Sequence, residues 1–133
     1  MTTELYWLTL TILMTALFWV PCFLDRIATR GLLQAVSETK PETVGTHSVW
    51  TQRAMRAHLN AVENLVLFAP AVLIAQALNL STPATRGAAA AYFFARLVHV
   101  VGYTAGVPFV RTLAFTAGWV AQIVILASIL RWI

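Results

Sequence analysis

Four long apolar runs constrain this chain more than any other feature of its sequence. They cover residues 5–24, 61–80, 87–105 and 112–130, and few charges lie inside them. Each run has about 19–20 residues, the length with which an α-helix crosses roughly 30 Å of hydrocarbon. Because backbone polar groups in lipid must bond to one another, such runs fold as helices. The sequence therefore predicts an all-α membrane protein, an up-down bundle of four transmembrane helices in the lipid bilayer.

Composition supports a membrane protein and excludes other classes. Only 11% of the 133 residues are charged, whereas a soluble domain has about a quarter. The net charge of +4 comes from scattered Lys and Arg without an aromatic platform, so we predict no nucleic-acid partner. The single cysteine, Cys22, excludes an internal disulfide. The histidines lack ligand spacing, and we predict no metal site.

The organisation is that of a single domain over residues 1–133, with helices near residues 4–25, 53–80, 86–106 and 111–132. The first apolar run also resembles a signal peptide. However, Glu4 stands where basic residues would precede such a peptide, and bulky residues occupy positions 21–23. We therefore expect this run to be retained as a helix.

Basic residues are distributed unequally between the two ends of the predicted bundle. One end has six, namely Arg26, Arg30, Lys40, Arg53, Arg56 and Arg111, and the other has two, Arg86 and Arg131. Because Lys and Arg accumulate on the cytoplasmic side, the first end is predicted to face the cytoplasm, with both termini outside. The short termini favour a bacterial inner membrane.

Polar stripes are predicted on two neighbouring helices. Helical spacing aligns one stripe on the second helix, Arg53, Arg56, Asn60 and Glu63, and one on the third, Arg96, His99 and Tyr103. At 1.5 Å per residue, Glu63 and Arg96 lie roughly 15 and 18 Å from the cytoplasmic ends. The sequence therefore predicts a Glu63–Arg96 pair at the floor of a cavity that has Arg111 at its rim.

The chemistry of this set indicates a ligand. A charge at mid-bilayer costs about 2.5–3.5 kcal/mol and usually faces a partner or a cavity. A Glu63–Arg96 pair alone is equally well explained as a lock between helices. The wider set of cations, an amide, an imidazole and a phenol favours a multiply anionic polar ligand, with Arg binding its carboxylates. No Ser-His-acid constellation and no phosphate-binding loop occurs in the sequence.

Residues 56–64, RAHLNAVEN, resemble the signature of the MAPEG family, membrane-associated proteins of eicosanoid and glutathione metabolism. A second match is RLVHVVGY at 96–103, followed by PFVRT at 108–112. The chain is most similar to the microsomal glutathione transferase and prostaglandin E synthase branch, in a bacterial form. The resemblance implies a homotrimer of four-helix protomers, with glutathione as co-substrate bound at each protomer interface near the cytoplasmic side.

The resemblance also implies roles for individual residues. Arg111 matches the catalytic arginine that activates the thiol, since a nearby guanidinium lowers the thiol pKa from about 8.5 and favours the thiolate. Arg26 is expected to reach the site from the adjacent protomer. The other implied glutathione-binding or supporting residues are Arg56, Asn60, Glu63, Arg96, His99, Tyr103 and Thr112.

Two departures from the family pattern narrow the expected function. Leu59 stands where prostaglandin synthases often have a basic residue, and Phe115 where some members have tyrosine. We therefore expect a membrane-bound glutathione or other thiol transferase, or a peroxidase, acting on lipophilic small molecules. The alternative is a non-catalytic lipid-binding or accessory subunit of the same fold. A solute carrier is disfavoured by the absence of an internal repeat. Gly118 is expected to permit close helix packing.

Overall fold

The computed structural model describes residues 1–37 and 48–133, so the prediction that concerns Lys40 lies outside the described residues. The helices, in chain order, are α1 (Thr3–Leu17), α2 (Trp19–Arg30), α3 (Leu32–Ser37), α4 (Val49–Ala77), α5 (Pro83–Ala105) and α6 (Pro108–Ile129). No strand occurs in the described ranges, and the all-α class is confirmed.

Among the described residues, three helical stretches are long and apolar enough to cross a membrane. They are Thr3–Arg30, which combines α1 and α2, then α4 and α6. The chain is thus an integral membrane protein. Helix α5 has 23 residues, which is sufficient length, but it is less apolar because it includes Arg86, Arg96 and His99. Its position as the fourth span stays a prediction.

Helix α4 begins at Val49, four residues before the predicted start. The hydroxyl of Ser48 donates to the carboxylate of Asp25 in α2, at 2.9 Å to Oδ1 and 3.0 Å to Oδ2. Thr51 in the first turn of α4 is fully buried. These local contacts stabilise an extra turn that the apolar pattern does not indicate.

Helix α5 is central, since it contacts α1, α4 and α6. Its buried side includes several alanines, which allow neighbouring helices to approach closely. The rings of Phe68 in α4 and Tyr92 in α5 are stacked, with centroids 3.7 Å apart and an interplanar angle of 10°. Both side chains are fully buried. This contact holds α4 and α5 together beside their polar residues.

Helix α5 has well-defined signals at both ends. Thr82 caps its N-terminus in a capping box with Thr85, and Pro83 occupies the first turn. At the other end Gly106 adopts a left-handed conformation with φ of 77°. Pro108 then begins α6. The turn is so short that α5 and α6 are antiparallel, and Arg111 lies beside the last turn of α5.

The buried carboxylate of Glu4 lies where three helix ends meet, at the end of the bundle opposite to Arg111. Glu4 in α1 is 3% exposed and accepts hydrogen bonds from the hydroxyls of Thr85 (2.6 Å) and Ser81 (3.2 Å). The hydroxyl of Thr2 donates to Gln76 at 2.8 Å. The start of α1 therefore lies beside the end of α4 and the N-terminus of α5, where a negative charge is favourable. We call this the Glu4 end and the opposite end the Arg111 end.

Candidate functional site

A pocket of about 260 Å³ opens at the Arg111 end, between α4 and the turn from α5 to α6. Its lining residues are Arg53, Arg56, Gly102, Tyr103, Gly106, Val107, Pro108 and Arg111. Three of these side chains are guanidinium groups and none is a carboxylate. We call it the outer pocket, and its charge favours anionic ligands.

Arg111 lies in the first turn of α6 and faces Tyr103 of α5. Its guanidinium carbon is 4.9 Å from the centroid of the tyrosine ring, a cation–π contact. Thr112 is exposed beside it, and its hydroxyl donates to the carbonyl oxygen of Pro108 at 3.1 Å. The proton of Thr112 is thus used within α6, while its oxygen can still accept a hydrogen bond.

Arg53 lines the outer pocket on the side of Gly106. A Cβ atom added to Gly106 would lie 2.6 Å from Nη1 of Arg53, so the guanidinium is seated against the backbone of the turn. The sequence places Arg53 on the polar stripe but does not single it out as a ligand-binding residue. Its spacing of three residues from Arg56 was the available signal.

Deeper in the bundle, the guanidinium of Arg96 is buried, with 1% of the residue exposed. Its Nη1 donates to Oδ1 of Asn60 at 3.1 Å, and its Nη2 donates to the carbonyl oxygen of Phe115 at 3.2 Å. Its guanidinium carbon is also 5.4 Å from the ring centroids of Tyr92 and Phe115. Arg96 therefore connects α4, α5 and α6 through neutral groups.

His99 lies between this arginine and the outer pocket. It is 2% exposed, and its ring centroid is 5.7 Å from that of Tyr103 and 6.2 Å from that of Phe115. Within the described part of the chain, Nδ1 of His99 and Nε of Arg96 are buried without a hydrogen-bond partner. Because buried polar atoms without partners are unfavourable, both are candidates to bind a polar ligand group.

The predicted Glu63–Arg96 pair is wrong within this chain. Glu63 is exposed, and the hydrogen bonds of Arg96 go to uncharged oxygens. The residue that faces the interior one turn after Asn60 is Asn64, whose amide donates to the backbone oxygen of Asn60 at 2.8 Å. Glu63 is turned by about 100° from Asn64 around the helix axis and lies on the outer face of α4.

Asn64 and Gln122 are inner polar residues absent from the predicted set. Gln122 of α6 is 3% exposed, and its Nε2 donates to the backbone oxygen of Asn64 at 3.0 Å. We call the group of Asn60, Asn64, Arg96, His99 and Gln122 the inner cluster. The sequence feature that indicates Gln122 as an inner polar residue is its amide side chain inside the fourth apolar run, which has no charged residue.

Arg26 lies away from the other predicted residues. It lines a second pocket of about 260 Å³, between α2 and α4, together with Trp19, Cys22, Phe23, Met55, His58 and Leu59. The structure thus brings Arg56, Tyr103 and Arg111 together in the outer pocket, and Asn60, Arg96 and His99 in the inner cluster. Thr112 is adjacent to the outer pocket. Glu63 and Arg26 lie on other surfaces of the chain.

The fold and the site define a helical integral membrane protein with a cationic pocket at one end. The family model described as "MAPEG family" matches residues 5–131. The chain belongs to the MAPEG family. No curated protein and no solved structure matches it. At the level of the family, membership supports a membrane glutathione transferase or a related function.

Proposed function

We propose that this protein binds glutathione in the outer pocket and transfers it to lipophilic electrophiles that arrive from the bilayer. The observation that carries the proposal is the group of three guanidiniums, Arg53, Arg56 and Arg111, around a pocket without a carboxylate in its lining. Glutathione has two carboxylates, and arginine binds carboxylates through paired hydrogen bonds. The chain's family membership agrees with this ligand.

Arg111 is the proposed catalytic residue. Its guanidinium stabilises the thiolate of glutathione as the thiol proton leaves to solvent, which lowers the thiol pKa. The sulfur then forms a bond to the electrophilic carbon of the substrate, and the bond from that carbon to its leaving group breaks. A single lost donor of this kind typically lowers kcat by about 10²- to 10³-fold.

The same thiolate can also reduce a lipid hydroperoxide. The sulfur attacks the terminal oxygen, the O–O bond breaks, and the alkoxide takes a proton from water to give an alcohol. The glutathione sulfenic acid reacts with a second glutathione to give the disulfide and water. The two glutathione thiols, oxidised to the disulfide, supply the two electrons that reduce the hydroperoxide. Transferase and peroxidase chemistry thus use one activated group, Arg111.

We further propose that the inner cluster binds the polar end of the ligand. Nδ1 of His99 and Nε of Arg96 are buried and unpartnered within the described residues, and Tyr103 lies between them and Arg111. Arg56, Asn60 and Thr112 complete the proposed set on this protomer. Binding requires the inner side chains to move, since Arg96 and His99 are only 1% and 2% exposed.

A homotrimer in which a neighbouring protomer completes each site is part of the same proposal. The outer pocket, at about 260 Å³, is smaller than the roughly 300–1,000 Å³ of typical small-molecule sites. Glu63 is an exposed carboxylate well inside a membrane-spanning helix, where a protein partner is favoured over lipid. Arg26 lies on a separate face of the protomer, from which we propose that it reaches the adjacent site.

We propose that the chain spans the inner membrane of a bacterial cell with its Arg111 end facing the cytoplasm. The sequence has more Lys and Arg at this end than at the Glu4 end, which favours the cytoplasmic side. A cytoplasmic site also has access to reduced low-molecular-weight thiols.

Thiolate absorbance in the ultraviolet tests the function directly. Adding glutathione to the purified protein should produce the thiolate band and should raise the thermal unfolding temperature. The Arg111→Gln variant should lose the band, whereas Arg86→Gln, which removes an exposed cation at the Glu4 end, should keep it. Absence of both the band and the stabilisation in the parent protein would rule the proposal out.

A non-catalytic lipid-binding role is the second candidate. A shallow groove of about 340 Å³ between α1 and α5 is lined by apolar side chains, namely Leu10, Leu13, Met14, Leu17, Phe18, Phe93 and Leu97. This lining fits an acyl chain. The role predicts a retained lipid in native mass spectra and no turnover of a generic electrophile such as a chlorodinitrobenzene.

A further inference from the structure

We infer that Arg53 determines the specificity of the outer pocket, by binding one carboxylate so that thiols with carboxylates at both ends are preferred. The inference rests on the proposed function and adds to it a residue and a substrate class. Its basis is the position of Arg53, its charged surroundings and its seat on Gly106.

Arg53 and Arg111 border the same pocket from different helices. Arg53 extends from the second turn of α4, and Arg111 from the first turn of α6. A ligand whose sulfur lies at Arg111 therefore has a second cation across the pocket, next to the turn between α5 and α6. Arg53 is exposed, so its guanidinium can be reached from solvent.

The charges of the pocket match a thiol with two carboxylates. Three guanidiniums line it, and no acidic side chain does. If Arg111 stabilises the thiolate, Arg53 and Arg56 are available for one carboxylate each. A thiol with a single carboxylate leaves one of these two cations without a counter-charge. The preference for dicarboxylate thiols therefore follows from the two cations that remain beside Arg111 in the outer pocket.

Gly106 leaves room for the Arg53 guanidinium against the turn. Its φ of 77° is in the left-handed region, which favours glycine. Its missing side chain also leaves the space that Arg53 occupies, because a Cβ atom would lie 2.6 Å from Nη1 and 2.8 Å from Cζ. An arginine seated on a turn loses less freedom when it binds, which makes it more effective than a freely moving surface cation.

Binding measurements with three thiols test the inference in the full-length protein, reconstituted in nanodiscs of zwitterionic lipid. The thiols are glutathione, its glycyl monoethyl ester, which lacks the glycyl carboxylate, and cysteinylglycine, which lacks the γ-glutamyl carboxylate. Dissociation constants are measured by calorimetry for the parent, Arg53→Gln, Arg53→Lys and the control Arg86→Gln.

Arg53→Gln should weaken glutathione binding on the order of ten- to a hundredfold, as expected for a lost charged hydrogen bond. One of the two analogues lacks the carboxylate that Arg53 binds. For that analogue, Arg53→Gln should change the affinity less than about threefold. Arg53→Lys should fall between parent and Arg53→Gln, because lysine keeps the charge but not the paired donors. Arg86→Gln should bind like the parent.

Two other outcomes would contradict these expectations. Equal weakening for all three thiols, or no weakening for any, would overturn the role of Arg53 and leave the proposed function intact. A parent protein that binds none of the three would overturn both. Unchanged unfolding temperatures in the exposed Arg53 variants will show that affinity, not folding, has changed.

Discussion

The guanidinium of Arg96 donates a hydrogen bond from Nη2 to the backbone carbonyl oxygen of Phe115, at 3.2 Å. This bond joins α5 to α6 inside the bundle, where Arg96 is 1% exposed. Helix α6 can approach so closely because residue 118 is a glycine: a Cβ atom there would lie 2.6 Å from Nη2 of Arg96. Gly118 thus permits close packing, as the sequence predicts, and its packing partner is a buried charge.

Replacing Gly118 with valine should destabilise the protein by about 1–3 kcal/mol, the usual cost of overpacking a filled interior. The new side chain overlaps the Arg96 guanidinium, which is hydrogen-bonded to α4 and α6. Unfolding in increasing denaturing detergent measures the change. Ala117→Val, at the exposed neighbouring position, is the control and should stay within about 0.5 kcal/mol. Equal loss in both variants would contradict the prediction.

Arg96→Met separates a binding role from a structural lock. Methionine has a similar length and fills the space, but it leaves Oδ1 of Asn60 and the carbonyl oxygen of Phe115 without their donor. We expect the free energy of unfolding to fall by about 1–3 kcal/mol, while glutathione affinity falls at least tenfold. Unfolding curves and calorimetry on the same sample distinguish the roles. A large loss of stability with affinity retained would identify Arg96 as a lock.

The sequence predicts the helices and the general location of the site, but not which polar residues pair. The sequence predicts that Asn60 and Arg96 lie on facing stripes, and they are hydrogen-bonded. It also predicts Glu63 on the stripe of Asn60, but the inner residue is Asn64, one position further along the helix. Spacing alone does not resolve a rotation of this size, because stripes on packed helices span a wide arc.

Other features depend on contacts between distant parts of the chain. The seat of Arg53 on Gly106 requires the geometry of the turn after α5, and the sequence indicates only that a turn occurs there. The burial of Glu4 depends on Thr85, 81 residues away. The sequence around Glu4 does not indicate this partner. From the sequence, Glu4 only disfavours a signal peptide.

Thr85→Val should destabilise the Glu4 end by about 1–3 kcal/mol, because the buried carboxylate loses its shortest hydrogen bond and α5 loses part of its cap. Detergent-induced unfolding measures the change. Thr9→Val is the control, since Thr9 is exposed and its hydroxyl bonds only within α1. Glutathione affinity should be unchanged in both variants, because the proposed site is at the other end. A stability of Thr85→Val equal to that of the control would show that the Glu4 bond contributes little.

Gly106→Ala links stability to ligand affinity, and Gly31→Ala provides a matched comparison. Both glycines have positive φ, 77° and 82°, so alanine should cost each about 1–2 kcal/mol of backbone strain. Only Gly106 has a neighbour within 4 Å of the added Cβ, the guanidinium of Arg53, whereas Gly31 has none. Both variants should therefore unfold more easily than the parent, but only Gly106→Ala should weaken glutathione binding, by about three- to tenfold, as Arg53 is displaced from its seat.

In the double variant with Arg53→Gln, Gly106→Ala should have no additional effect on affinity. An additive loss in the double variant would mean that Gly106 acts on the ligand by another route, such as a shift of Arg111 in the following helix.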